Sequence, residues 1–425
     1  MIGAQVSSRL QNSTLQLTVR RPIQGSLALL VLLLASAFAT QAQTFTVLHS
    51  FTGGSDGGAP VAGLAIDRTG NLYGTTSYGG HSGVVYKMAE RNSNWILSPL
   101  YTFKAGADGC EPQRADLMIA PDGSIYGSTP LCGNIQCGGT GCGIVFRLRP
   151  SDTVPVTSGA PWTETILYHF TGYVEPVLAG KLAFDAAGNI FGSTRQGGSP
   201  DRGDIYELSP SGSGYVETEI YTFQDMAQPS GVIFDNAGNL YGTAIGGGLG
   251  DYGNVFKLSL SGSQWVATNL YTFYDGEDGA FPYGDLIADA QGNMYGSTTS
   301  GGTGGGGTVF EMSPDGQGGW IHTTLVELPG YNDHPGGGPQ DALTMDSAGN
   351  LYGTAILNGA FHKGNIFKLT NNGGSWTYTS LHDFSGGSDG SLPFSNVVID
   401  AQGNLYGTAA QGGANSQGVV WKITQ

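Results

Sequence analysis

"DAQGNLYGTA" occupies Asp400–Ala409, and "DAQGNMYGST" occupies Asp289–Thr298. The same pattern returns at Asp67–Thr76, Ala120–Thr129, Asp185–Thr194, Asp235–Ala244 and Asp346–Ala355, seven copies in all. The glycine after the aromatic falls at Gly74, Gly127, Gly192, Gly242, Gly296, Gly353 and Gly407, with gaps of 53, 65, 50, 54, 57 and 54 residues. A period near ~50 residues points to a propeller-like array rather than a short-period solenoid.

Each copy lies in a unit of four short strand-like pieces. In the first unit these are "GLAID" (Gly63–Asp67), "NLYGTT" (Asn71–Thr76), "VVYKM" (Val84–Met88) and Trp95–Phe103, which ends in "LYTF". Aromatic and β-branched residues bounded by Gly, Asn and Asp are strand signals, and no segment sustains a helical period. Within "DAQGN", Asp400 opens a tight turn, Gly403 supplies a positive φ, and the Asp carboxylate can accept the turn's free amides. Seven repeats of the Asp and Asn make them turn chemistry rather than catalytic groups. The in-strand glycine, Gly74 and its equivalents, reads as room for an aromatic side chain of a neighbouring unit. The Lys, Arg or Glu of the third piece (Lys87, Arg147, Glu207, Lys257, Glu311, Lys368 and Lys422) reads as a solvated outer position.

There are seven third pieces but only six fourth pieces after them, because the chain ends at "VVWKITQ". "FTVLHSF" (Phe45–Phe51) supplies the missing piece, aligning Phe51 with Phe103 and Leu48 with Leu100. The expected fold is therefore all-β: a seven-bladed β-propeller closed by strand 45–51 pairing with strand 419–423. Closure removes the free sheet edges that invite aggregation.

The pattern D-x-x-G-N-L-Y-G-T, then G-G, then V-F-K-L, resembles the GloVer-type (Gloeobacter/Verrucomicrobia) tandem repeat of exported bacterial proteins. It is similar, more distantly, to NHL-like propeller repeats. The resemblance spans Phe45–Gln425 and implies a secreted or surface β-propeller, with no activity or site residue attached.

Arg20 and Arg21 precede the apolar run Ser26–Ala39, which ends in small residues suited to cleavage after Ala39 or Ala42. The run is shorter than the ~20 residues of a spanning helix. It reads as a signal peptide over 1–42 with an extended basic end, followed by a propeller domain over 43–425. Without residues 1–42, the 17 basic residues fall to 14 against 33 acids, a net charge of −19. Such a surface repels nucleic acid and anionic membranes and suits cations, neutral glycans or basic proteins. A secreted, periplasmic or cell-surface monomer with no membrane insertion after cleavage is expected.

Cys110, Cys132, Cys137 and Cys142 fall within 33 residues. In an exported chain they read as disulfides, with three pairings open.

Function on a propeller sits in the loops entering the inner strand and joining the second and third strands, since the rigid strands position them. Those loops carry Asp56, Asp108, Glu175, Asp225, Asp278, Asp333 and Asp389. The densest, "YDGEDG" (Tyr274–Gly279), makes Asp275, Glu277 and Asp278 candidate calcium ligands, although the spacing of a twelve-residue calcium loop is absent. No cofactor is required by the pattern, and calcium is the one metal it could take. Four histidines (His49, His169, His322 and His382) occupy strands and read as structural. His81, His334 and His362 are unrepeated loop histidines and the candidate catalytic groups. Unit three departs from the others with Glu175, Lys181, Arg195 and Arg202, which are candidates for a ligand face. The first functional expectation is a binding or scaffold module for extracellular glycan or protein. The alternative is a metal-assisted lyase or hydrolase on the loop face. Propeller lyases of the streptogramin-inactivating type use such a face, but none of their residues can be matched to positions in this chain.

Overall fold

A computed structural model describes residues 43–425 apart from 114–115, 134–140, 151–161, 172–177, 198–201, 213 and 331–335. Its strands form seven four-stranded antiparallel sheets, the blades of a β-propeller. Blade 1 runs Ala65–Ile66, Leu72–Thr76, Val84–Arg91 and Asn94–Thr102, from inner to outer strand. Blade 7 takes Val398–Ile399, Leu405–Ala409 and Val419–Thr424 from the end of the chain, and Thr44–Ser50 from its beginning. Phe45 pairs with Ile423 and Ser50 with Val419.

The alignment of the closing strand is visible in one repeated hydrogen bond. The amide of Phe51 donates to Gly418 at 3.0 Å, as Phe103 does to Gly83 and Phe273 to Gly253 at the same distance. Strand and turn chemistry follow the repeat. Asp400 Oδ1 accepts the amides of Gln402 and Asn404, and its Oδ2 accepts from Asn404 Nδ2 and the Tyr406 hydroxyl. Gly403 has a φ of 84°, which an L side chain rarely adopts. Burial alone would raise the carboxyls of Asp67, Asp235, Asp346 and Asp400, but these hydrogen bonds outweigh it and hold all four low.

The in-strand glycine corrects one expectation. The ring it accommodates belongs to its own blade, because Gly353 lies directly across from Phe367 in the register. A Cβ at Gly353 would stand 2.6 Å from Phe367 Cζ, and one at Gly242 the same distance from Phe256 Cζ. The neighbouring blade enters one layer later. Phe103, at the end of the outer strand, meets Phe146 of the next blade edge-on at 5.4 Å, and Phe273 meets Phe310 at 5.3 Å. The third-strand aromatic is thus held between its own glycine and the preceding blade.

The third-strand lysine is likewise tied down. The ammonium of Lys87, Lys257 or Lys368 lies 5.3 Å from the ring of Tyr73, Tyr241 or Tyr352, its cross-strand partner. The ring quadrupole attracts the cation there. The hydroxyl after the glycine latches blades together. Thr75 donates to the Pro112 carbonyl at 3.1 Å, Thr354 to Pro393 at 2.9 Å, and Thr408 to Pro60 at 3.1 Å across the closure.

Candidate functional site: the loop face and the channel mouth

The entry loops use their acids internally. Asp278 accepts the Tyr274 amide at 3.0 Å, the Gly276 amide at 3.2 Å and the Tyr271 hydroxyl at 3.0 Å. Asp108 repeats this with Lys104, Gly106 and Tyr101. For Asp56 and Asp389 the outer-strand partner is a histidine, His49 at 3.0 Å and His382 at 3.2 Å. His49 and His382 are therefore structural, as their repeated position implies. His322 stacks on Tyr271 at 3.9 Å instead, and burial pushes its imidazole down to about 4, against the pull of Asp278.

Of the calcium candidates, Asp275 and Glu277 are exposed while Asp278 serves the turn. Among the described residues no group of three or more His, Cys, Asp or Glu stands together as a metal site. His81 is an exposed loop residue of blade 1 and His362 an exposed loop residue of blade 6, with blade 7 between them. His334, Glu175 and Cys137 lie outside the described residues, as does Asp333. Cys110 and Cys132 are joined, with Cα atoms 5.4 Å apart, and Cys142 is also disulfide-bonded.

Lys181 and Arg195 come together where the inner strands meet, at the channel mouth. Asp285 accepts the Gly231 amide at 2.6 Å and the Lys181 amide at 2.8 Å; burial raises its carboxyl, against these bonds and the charges of Lys181 and Arg195. The Arg195 guanidinium lies 5.0 Å over the Tyr283 ring. Arg202 is not part of this group; its carbonyl accepts the Gln228 amide at 3.3 Å.

Sequence reasoning missed Asp285 and three further members of this ring, Asp116, Asp341 and Asn396. Asp116 accepts the Gly63 amide at 2.7 Å and the Asn396 side-chain amide at 3.1 Å. Asn396 in turn accepts from Leu64 at 3.1 Å, and its own amide donates to Asp341 at 2.8 Å. Side chains from blades 2, 5, 6 and 7 thus bind amides of their neighbours around the axis. Burial pushes the Asp116 carboxyl up to about 6, with Lys181 opposing and Asp285 adding to the rise. Burial and the charge of Asp116 raise Asp341 as well. The space left at the mouth, lined by Arg195, Tyr283, Asp285, Gln340 and Asp341, is about 20 Å³. That admits one or two waters, against ~300 Å³ or more for a small-molecule site.

The loops also carry exposed apolar side chains. Tyr78, Met226, Leu249, Tyr274 and Phe361 are all exposed and all in entry or second-to-third-strand loops. Ile96, Val216, Val266 and Ile321 form a second exposed set, on outer strands.

The repeat geometry has a family counterpart. The model of the Gloeobacter/Verrucomicrobia repeat matches residues 136–328 and 319–425, well over half of the chain. The chain belongs to the Gloeobacter/Verrucomicrobia repeat family. No curated protein matches it by sequence. Among solved structures, this member of the repeat family is similar to virginiamycin B lyase from Staphylococcus aureus, with 14% identity and a TM-score of 0.55 over 90% of this chain and 99% of that one. It is also similar to a streptogramin B lyase, with 12% identity and a TM-score of 0.56 over 90% and 97% of the two chains. At these identities the likeness shows the β-propeller fold alone.

Proposed function

We propose that this chain is an exported binding or scaffold module whose loop face holds an extracellular glycan or protein. The observation that carries this reading is the placement of Tyr78, Met226, Leu249, Tyr274 and Phe361, exposed on loops of one face. Exposed aromatic and flexible apolar side chains cost affinity unless the loop is already ordered. In this propeller the carboxylates of Asp56, Asp108, Asp278 and Asp389 spend their hydrogen bonds on their own loops, which fixes the backbone beneath those side chains. Tyrosine and phenylalanine faces stack on sugar rings and fill protein pockets alike. The acidic surface, −16 for the full chain, favours neutral or basic partners over nucleic acid.

Export is supported by the apolar run Ser26–Ala39 and by the Cys110–Cys132 bond, since disulfides persist outside the cytosol. The test is a glycan array together with capture of proteins from the envelope fraction of the source cells. A defined glycan or protein retained by the wild-type chain is expected, and loss of that retention in Tyr274→Ala or Phe361→Ala supports the face. Both screens returning empty overturns the reading.

A further inference from the structure

The outer strand of each blade sends one residue toward the next blade, at the second position of "LYTF". Tyr101 donates to Glu164 at 2.9 Å, and Tyr168 to Glu217 at 2.6 Å. Tyr271 stacks on His322 at 3.9 Å, and His382 on Phe45 at 3.6 Å. Between blades 5 and 6 the residue is Val326, and its counterpart on the outer strand Trp376–Asp383 is Tyr378. Both pack on the same core cluster. A cavity of about 240 Å³ opens there, lined by Asn358, His362, Tyr378, Ser380 and Asp383 together with Gly330.

Two of its lining hydroxyls, those of Tyr378 and Ser380, are held from behind by Asn365. Asn365 is 0% exposed, yet its Oδ1 has no hydrogen-bond partner. Its Nδ2 donates to the Tyr378 hydroxyl at 2.7 Å and to Ser380 Oγ at 3.1 Å. Ser380 then donates to Asp383 Oδ1 at 2.6 Å. The Tyr378 oxygen accepts from Asn365, and the phenol lines the cavity. The trio occurs once in the ring. Tyr378 stands where blades 1 and 4 have Leu97 and Ala267, and Asp383 where they have Thr102 and Thr272. Phe361, 57% exposed, adjoins His362 in the lining loop.

We propose that this cavity binds one neutral sugar residue, through hydroxyls held by Asp383, Tyr378 and Ser380, with Phe361 as a stacking face. The inference rests on the glycan arm of the proposed function and names its ligand class and place. A carboxylate, an aliphatic hydroxyl and a phenol together offer both acceptors and donors, the set that a polyol needs. The acidic chain disfavours an anion. The volume falls just short of the ~300 Å³ at which drug-sized sites begin, which suits a single ring.

The test is saturation-transfer NMR and calorimetry with D-glucose, D-galactose, D-mannose and D-xylose, and with D-glucuronate as the charged control. Wild type, Tyr378→Phe and Asp383→Asn are compared. At least one neutral sugar is expected to bind at about 10 mM or below, roughly five- to tenfold more weakly in Tyr378→Phe, the loss of one hydrogen bond. D-Glucuronate is expected to bind more weakly than its neutral parent. If Asp383→Asn fails to fold, because Asp383 anchors Ser380, the hydroxyl-only change Tyr378→Phe decides alone. Saturation by none of the four neutral sugars, or equal binding by wild type and Tyr378→Phe, overturns the proposal. A glycan retained on the array whose binding is insensitive to Tyr378→Phe also overturns it, while leaving the loop-face reading standing.

Discussion

Phe45 stacks on His382 at 3.6 Å with the rings 5° from parallel, joining the first strand of the chain to the outer strand of blade 6. The same strand pairs with Val419–Thr424 and packs Phe45 and Val47 against Trp421 and Ile423. Its removal exposes this seam and leaves the third strand of blade 7 as an open edge. Two to three apolar side chains at ~1.5–3 kcal/mol each amount to a loss of roughly 5 kcal/mol. A chain beginning at Gly53 should melt about 6 °C below one beginning at Gln43, by calorimetry. Equal melting temperatures would contradict the closure.

Gly353 faces Phe367 across the register, and a Cβ there stands 2.6 Å from the ring. Its φ is not in the left-handed region, so Gly353→Ala tests overpacking without backbone strain. Urea unfolding should show a loss of ~1–3 kcal/mol. The same change at Gly373, an exposed turn glycine with nothing within 4 Å of a built Cβ, acts through its φ of 73° alone. A neutral Gly353→Ala would leave the repeated glycine without a packing role.

The Cys110–Cys132 bond closes a separation of 22 residues. In the chain-entropy account a loop of that size stabilises by ~3 kcal/mol. Cys110→Ser should lower stability by about that amount and release one thiol to maleimide labelling without reductant. A variant that takes up no label would contradict this pairing.

Asp116 carries a pH signature of definite sign. Its folded carboxyl is raised to about 6, above the ordinary 3.8, chiefly by burial. A raised acid binds its proton more tightly when folded, so the fold loses stability as pH climbs from about 4 through 6. A rise of that size sets an upper scale of ~3 kcal/mol. The turn carboxyls held low, such as Asp67 and Asp400, act in the opposite sense and lose their contribution only as pH falls below about 4. Thermal melts from pH 4 to 8 should therefore show a decline toward neutral pH that is smaller in Asp116→Asn. An unchanged decline in that variant would place its origin elsewhere.

The fold was legible because its chemistry is local and repeated. A turn such as Asp400–Asn404 needs an acceptor, a positive φ and a returning strand within five residues, and seven copies leave little room for another reading. The ring closure followed from counting strands, and the structural histidines His49 and His382 from their repeated position. What lies between blades was less legible. The partner of Gly353 depends on register, the lysine clamps on ring geometry, and the channel ring on residues that differ from blade to blade. Asp116, Lys181, Asp285 and Asn396 share one alignment position and Asp341 sits one residue earlier, but the residue type there changes from blade to blade, so the shared place did not read as one site. The charged departures of blade 3 pointed to Lys181 and Arg195, and the unrepeated His362 of blade 6 lines the cavity beside Tyr378. Tyr378, Ser380 and Asp383 carried no such mark, because outer-strand residues at their positions vary from blade to blade.

The loop face as the working surface is tested most directly by comparing two sets of variants against the best-retained array glycan or captured protein. Tyr274→Ser and Phe361→Ser change the loops, while Val216→Ser and Ile321→Ser change exposed outer-strand positions of matching apolar character. By surface plasmon resonance, the loop variants should lose about tenfold or more in affinity, the scale of an aromatic anchor. The outer-strand variants should bind as wild type does. Loss confined to the outer-strand variants, with the loop variants unaffected, would contradict the account.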